Sequence, residues 1–193
     1  IRNIIFNFII SFLPAFSSMP NYGDARYWDE RYTQQKSTTF DWLESWEDIK
    51  EHTEKYAIDG IYSKDGTISE NAEEIKGKLQ ILNLGCGNSI LSEDMYDQGF
   101  RQIYNMDISS VCITQMAERN KSRPEMKWEV MDVRELKYPT GKFDLIVDKS
   151  TIDALLCGNF AYLNVAIMLK ECQRVLKTGG YYMAISYGVP DNR

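Results

Sequence analysis

Five short apolar runs, each closing on a glycine, an acid or a serine, set the tightest limit on the fold. They are Leu79–Leu84, Gln102–Asp107, Met126–Met131, Lys142–Asp148 and Tyr181–Ser186. The first has the apolar continuity of a buried parallel strand, and each of the others has the length of a strand. Helical stretches lie between most of them. Ser89–Gln98 is stopped by Gly99, Ser109 or Ser110 can cap Val111–Asn120, and Leu163–Leu176 ends at Lys-Thr-Gly-Gly. Strand and helix alternating through short connections predict an α/β, doubly wound, mostly parallel sheet of Rossmann-like type. The chain's 193 residues fit one such domain.

Upstream, Asn21–Trp42 is aromatic and charged, and Ser45–Tyr56 reads as a charged helix. Residues 57–77 are polar with two Asp-Gly pairs, the signal of a loop or insertion. Residues 1–18 stand apart. They are rich in Ile and Phe, with one Arg and no acid, and Asn3, Asn7 and Ser11 interrupt the run. It falls short of the ~20 apolar residues of a membrane span, so no stable membrane insertion is expected. A targeting segment, a hydrophobic arm packed on the domain, and upstream sequence foreign to the protein all remain open. The leader is set aside from fold reasoning, and residues 19–193 are taken as the domain.

Composition narrows the chemistry. Lys and Arg number 22 against 28 Asp and Glu, a net charge of −6. That balance opposes a phosphate-binding surface, so no nucleic-acid partner is expected. The single histidine, His52, excludes zinc sites built on several imidazoles, and its charged surroundings read as a solvated helix. The cysteines Cys86, Cys112, Cys157 and Cys172 form no Cys-x-x-Cys pair. They read as reduced, mostly buried thiols, which points to the cytoplasm, or to the mitochondrion if the leader is a targeting segment.

In a doubly wound sheet, ligands gather at the carboxyl ends of the strands. Gly85-Cys86-Gly87 follows the first run, where glycines let the backbone approach a ligand closely. Asp107 ends the second run, twenty residues after Gly87, where a carboxylate can accept from both hydroxyls of a ribose. The third glycine of a dinucleotide fingerprint is missing, which argues against nicotinamide or flavin dinucleotides. Asp132 and Asp148 lie at the ends of the third and fourth runs. Together these residues predict a site for a nucleoside-type cofactor.

The segments NLGCGNS, NMDISS, MDV, FDLIVDKSTIDALL and RVLKTGGYY resemble class I S-adenosylmethionine-dependent methyltransferases. With YWDERY and FDWL added, the chain is similar to the subfamily containing the elongation factor 1A lysine methyltransferases and a citrate synthase lysine methyltransferase. The resemblance implies S-adenosylmethionine as cofactor, S-adenosylhomocysteine as product, and a protein lysine, possibly of elongation factor 1A, as acceptor. It further implies that Trp28, Tyr32 and Trp42 close over the cofactor and that the loop of Gly85, Cys86 and Gly87 passes its methionine part. Asp107 would hold the ribose with Ile108 beside the adenine, and Asp132 and Val133 would meet the adenine. Lys149 would border the cofactor and substrate mouth. The family often has Gly where Ser150 stands. Its fold continues into a helix and an antiparallel hairpin, so a chain ending at Arg193 is expected to leave the last strand as an exposed edge.

The residues agree with the chemistry. A sulfonium cation suits aromatic faces and acids. An acceptor lysine must lose its proton before attacking, and a dry aromatic mouth lowers its pKa. Asp148, Tyr32 or a backbone carbonyl is available to orient the amine, and Lys149 completes the catalytic candidates. Asp153 is read either as part of the site or as structural. A small-molecule methyltransferase and a non-catalytic cofactor-binding module are the other readings.

Overall fold

We describe residues 4–7, 22–36, 38–59 and 72–188 of a computed structural model of the chain. The strands are β1 (Ile4–Asn7), β2 (Gln80–Leu84), β3 (Gln102–Asp107), β4 (Lys127–Val130), β5 (Phe143–Lys149) and β6 (Leu176–Ile185). The α-helices are α1 (Ala25–Gln34), α2 (Trp46–Glu54), α3 (Ala72–Lys78), α4 (Leu91–Asp97), α5 (Ser110–Arg119), α6 (Thr151–Leu156) and α7 (Ala161–Val175). A π-helical turn, Lys55–Asp59, extends α2. The sheet runs β1-β6-β5-β2-β3-β4 with every pairing parallel. Strand order reverses between β2 and β5, the crevice where such sheets bind ligands.

Strand parity builds two cores. Ile81, Ile103, Leu145, Val147, Met183 and Ile185 pack with Trp46, Ile49, Ile75, Leu91 and Met95 from α2, α3 and α4. Leu82, Leu84, Met106, Ile146, Tyr182 and Ala184 face the other way, onto Ile152 of α6 and Met168, Cys172 and Val175 of α7. This two-sided burial explains the apolar runs of β2 and β5, whereas the edge strand β4 has no buried residue. A third cluster joins Tyr32 of α1 to Cys112 and Met116 of α5.

The structure differs from the expectations in three places. The leader set aside above supplies β1, whose residues Ile4 to Asn7 pair with Tyr182 to Ile185 of β6. The edge expected to be exposed is therefore paired there, and the rest of the leader lies outside the described residues. The stretch 57–77 begins and ends inside the core, because Ala57, Ile58 and Ile75 are buried. Its polar density hid these isolated apolar residues, and residues 60–71 lie outside the described residues. Finally, Lys-Thr-Gly-Gly does not separate helix from strand. β6 starts directly after α7 at Leu176, and Lys177–Gly180 carry an irregularity between the Phe143 and Leu145 pairings.

Candidate functional site

A cavity of about 460 Å³ opens over the carboxyl ends of β2, β3 and β5. Its floor is made by the turns that leave those strands. Gly85 and Gly87 have φ of +64° and +55°, the left-handed region that costs other residues energy. The backbone N–H of Gly87 donates to Asp107 Oδ2 at 2.9 Å, and that of Ser109 donates to Asp107 Oδ1 at 2.9 Å. Each carboxylate oxygen has room for a further donor, which suits a pair of hydroxyls. Burial raises the pKa of Asp107 against these backbone bonds. Ser109 caps α5 by accepting from the Cys112 N–H at 3.1 Å, so one turn positions both helix and acid.

The rim beside this floor carries Ile108, Asp132, Val133 and Arg134. Asp132 receives the Arg134 guanidinium at 2.6 Å and the Arg134 backbone N–H at 2.8 Å. Burial works to raise its pKa, but the Arg134 bonds outweigh it and hold the carboxyl below its ordinary value.

The roof comes from α1 and from residues 38–44. Asp24 caps α1 by accepting from the Arg26 N–H at 3.0 Å. Asp29 fastens α1 to the start of α5, accepting from Ser109 Oγ at 2.5 Å. Trp28 stacks on Tyr32 with ring centroids 5.8 Å apart and donates its indole N–H to the Tyr22 carbonyl at 2.8 Å. Trp42 meets Tyr22 and Phe40 edge-on, at 6.2 Å and 5.1 Å. Arg31 lies over the rings of Trp28, Phe40 and Trp42 at 5.1 to 5.5 Å. Lys149 rises from the end of β5 to donate to Asp41 Oδ1 at 2.6 Å and to the Trp42 carbonyl at 3.1 Å.

The structure brings together Trp28, Tyr32, Trp42, Gly85, Cys86, Gly87, Asp107, Ile108, Asp132, Val133 and Lys149 around one cavity. Asp148 does not join them. It shares the parity of Ile146 and points to the α6–α7 side of the sheet, with no exposure to solvent. Its Oδ1 accepts from the backbone N–H groups of Thr151 at 2.9 Å and Ile152 at 3.2 Å, and its Oδ2 from Tyr182 Oη at 2.5 Å. Burial lifts its pKa to about 6. Asp148 organises the start of α6 beneath the cavity and is not among the residues that line it. Burial also raises the Tyr32 phenol, so Tyr32 keeps its proton at neutral pH and offers a donor, not a base. Cys86 lines the cavity, but burial pushes its thiol up and leaves it unreactive.

Asp41 and Asn88 were not among the expected site residues, and Asp153 was open between site and structure. Asp41 accepts from Ser89 Oγ as well as from Lys149. Asn88 donates to the Thr38 carbonyl at 2.8 Å. Ser150 has φ of +69°, in the left-handed region where glycine meets no steric penalty. Asp153 lines the cavity and accepts from Ser186 Oγ at 2.9 Å and the Tyr187 N–H at 3.1 Å. Asp41 was discoverable as the one acid among the aromatics of FDWL, whereas Asn88 lacked a local signal. His52 lies outside the cavity lining. Among the described residues no cluster of His, Cys, Asp or Glu suits a metal ion, and no helix is long and apolar enough to cross a membrane.

A family model described as "Methyltransferase domain" matches Leu82 to Ala184, more than half of the chain. The chain belongs to the methyltransferase domain family. The matched span of this methyltransferase domain holds the end of β2, all of β3 to β5, most of β6 and the whole cavity floor. A mouse protein named eEF1A lysine and N-terminal methyltransferase is 38% identical over 172 residues, 88% of this chain and 22% of that protein. A bovine protein named EEF1A lysine methyltransferase 4 is 31% identical over 181 residues, 89% of this chain and 64% of that protein. The methyltransferase domain thus spans about a fifth of the first relative and under two thirds of the second. Among solved structures, the PH0226 protein from Pyrococcus horikoshii OT3 is 30% identical, covers 54% of this chain and 44% of its own, and superposes with a TM-score of 0.48.

Proposed function

We propose that the chain binds S-adenosylmethionine in this cavity and transfers its methyl group to a lysine of a protein, with elongation factor 1A the first candidate acceptor. The observation that carries the reading is Asp107. Its carboxylate is fixed by two backbone N–H groups at the end of β3 and still faces the cavity with acceptor capacity. The donor and acceptor set fits the cofactor. Asp107 suits ribose hydroxyls, Asp132 and Val133 suit an adenine edge and face, and Trp28 and Trp42 offer π-faces to a cation. The names of the mouse and bovine relatives support the choice of acceptor. The net charge of −6 favours encounter with a basic protein surface.

The bound cofactor supplies an electrophilic methyl group for in-line displacement. The chain's own task is then positioning and exclusion of water. The rings of Tyr22, Trp28, Phe40 and Trp42 make an apolar roof, and a lysine amine entering beneath it loses solvation, which lowers its pKa toward the neutral, nucleophilic form. Asp153 and Tyr32 both line the cavity, and an oxygen of either can accept from an N–H of the incoming amine and leave its lone pair free.

The test is transfer of a labelled methyl group from S-adenosylmethionine into a cell lysate, resolved by gel and mass spectrometry, with Asp107→Ala as control. We expect a labelled protein band that disappears in the control, and about a hundredfold loss of cofactor affinity as two charge-assisted bonds are removed. Label confined to low-mass products would replace the protein acceptor with a metabolite. Cofactor binding without any transfer would reduce the chain to a binding module.

A further inference from the structure

The roof segment 38–44 is held in an unusual way. It has no helix or strand, and Phe40 and Leu43 are 43% and 39% exposed and lie outside the three buried clusters. Leu43 has φ of +65°, a conformation that a free chain of this sequence would rarely adopt. At its start, Phe40 donates its backbone N–H to the Asn88 carbonyl at 3.2 Å and Asn88 donates to Thr38. In its middle, directly above the cavity, the Trp42 ring meets Tyr22 and the Arg31 guanidinium, and the hydrogen bonds converge on Asp41 and the Trp42 carbonyl. The Lys149 ammonium supplies two of them, and Ser89 Oγ supplies another. Lys149 itself is 8% exposed, at the end of a strand whose register is locked by pairing with Ile185.

A lysine amine that donates to a carboxylate and a carbonyl of the same segment has two of its three protons committed. Burial is the larger effect and lowers its pKa, and the Asp41 carboxylate offsets part of that by favouring the charged form. While both bonds are made, the ammonium is neither a base for an acceptor amine nor a nucleophile. We propose that Lys149 is a positioning residue, a latch that holds residues 38–44 closed over the cavity by bonding Asp41 and the Trp42 carbonyl. It acts on the cofactor through Trp42. This rests on the reading of the cavity as a cofactor site, but the latch itself is a property of the unliganded chain.

That separation gives the experiment. Hydrogen–deuterium exchange of amides 38–44 is followed without cofactor in the full chain, in Lys149→Met, in Lys149→Arg and in Asp41→Asn. S-adenosylmethionine binding and methyl transfer are measured alongside. Lys149→Met should speed exchange in the segment about tenfold, as a charge-assisted tether is lost. It should weaken cofactor binding by about the same factor while kcat at saturating cofactor changes less than about threefold. Lys149→Arg should recover most of the protection, because it keeps a cation at the same place. Asp41→Asn should reproduce the loosening from the other partner, and it decides the matter if Lys149→Met does not fold. Unchanged exchange in Asp41→Asn and in any folded Lys149→Met would overturn the latch. So would a collapse of kcat in Lys149→Met with cofactor affinity intact, which would place Lys149 at the reacting centre. If the unaltered chain binds no S-adenosylmethionine, the cofactor reading fails, and the exchange comparison still decides for or against the latch.

Discussion

The floor and the roof of the cavity are built on opposite principles. The floor is backbone. Gly85, Gly87 and Asp107 are placed by strand ends in a sheet whose registers are set over its whole length, and their bonds run to main-chain N–H and C=O groups. The roof is side chain. Residues 38–44 stay in place through Lys149, Ser89, Asn88 and Arg31, and the bond from Lys149 to Asp41 spans 108 positions of sequence. A floor of this kind cannot move without disrupting the interior strands β2, β3 and β5 beneath it. A roof tied by a few polar and cation–π contacts can open while the domain stays folded. A site that must admit a cofactor and release its product needs that asymmetry.

The sharpest way to break the comparison is at Gly85. A Cβ there would lie 2.2 Å from Thr151 Oγ1, at a φ of +64°. That hydroxyl donates to the Leu84 carbonyl at 2.7 Å and joins α6 to the end of β2. Gly85→Ala therefore combines left-handed strain with a displaced hydrogen bond, about 3 kcal/mol together. For a domain of this size the melting temperature should fall by about 10 °C, read by calorimetry or circular dichroism. A variant that melts like the parent would show that the floor yields as easily as the roof.

The floor was largely legible in the sequence and the roof was not, for physical reasons. β3 occupies Gln102–Asp107 as its apolar run predicts, and the GCG turn follows β2 as the glycine pattern predicts, because both are local consequences of chain chemistry. Asp148 shows where locality ends. Its place at the end of a strand could be read, but the face it takes follows from register: Asp148 pairs with Leu84, whose side chain belongs to the α6–α7 core. Periodicity in a strand buried on both sides does not say which face is the ligand's. The leader's contribution of β1 and the tether of Lys149 to Asp41 are long-range pairings, and nothing in the flanking residues announces them.

The placement of Asp148 beneath the floor makes a prediction about pH. Its folded pKa of about 6 lies above the ordinary carboxylate value of 3.8, so the folded chain takes up a proton more readily than the unfolded one. Its contribution to stability therefore grows as pH falls through 6 and is complete below 3.8, the reverse of an ion-paired acid. The shift corresponds to on the order of 3 kcal/mol over the whole window, with about half of it present by pH 5. Asp148→Asn removes the titration and keeps an oxygen for the Thr151 and Ile152 amides. Denaturant unfolding from pH 7.5 to 5 should show the parent gaining stability relative to the variant, while methyl transfer near neutral pH stays within a few-fold of the parent. A variant that folds but loses transfer by several orders of magnitude would restore Asp148 to the chemistry.

The smallest effect belongs to the roof and is the most telling about it. Arg31 lies 5.1 Å from the centre of the Trp42 ring and 5.5 Å from those of Trp28 and Phe40, so one cation bridges α1 to the segment above the cavity. Its guanidinium also donates to Tyr27 Oη at 3.3 Å. Arg31→Met keeps an apolar stem between the rings and removes the charge. The loss should be about 1 to 2 kcal/mol, the range of a partly desolvated cation–π contact. Because the lost contacts tie the roof and not the sheet, that energy should appear locally. Amide exchange at residues 38–44 should rise about five- to thirtyfold, with the melting temperature lowered by only a few degrees. If the energy appeared instead as a uniform loss of protection across β2 to β5, roof and floor would unfold as one unit. The asymmetry between them would then lie in the kind of bonds they use and not in what those bonds permit.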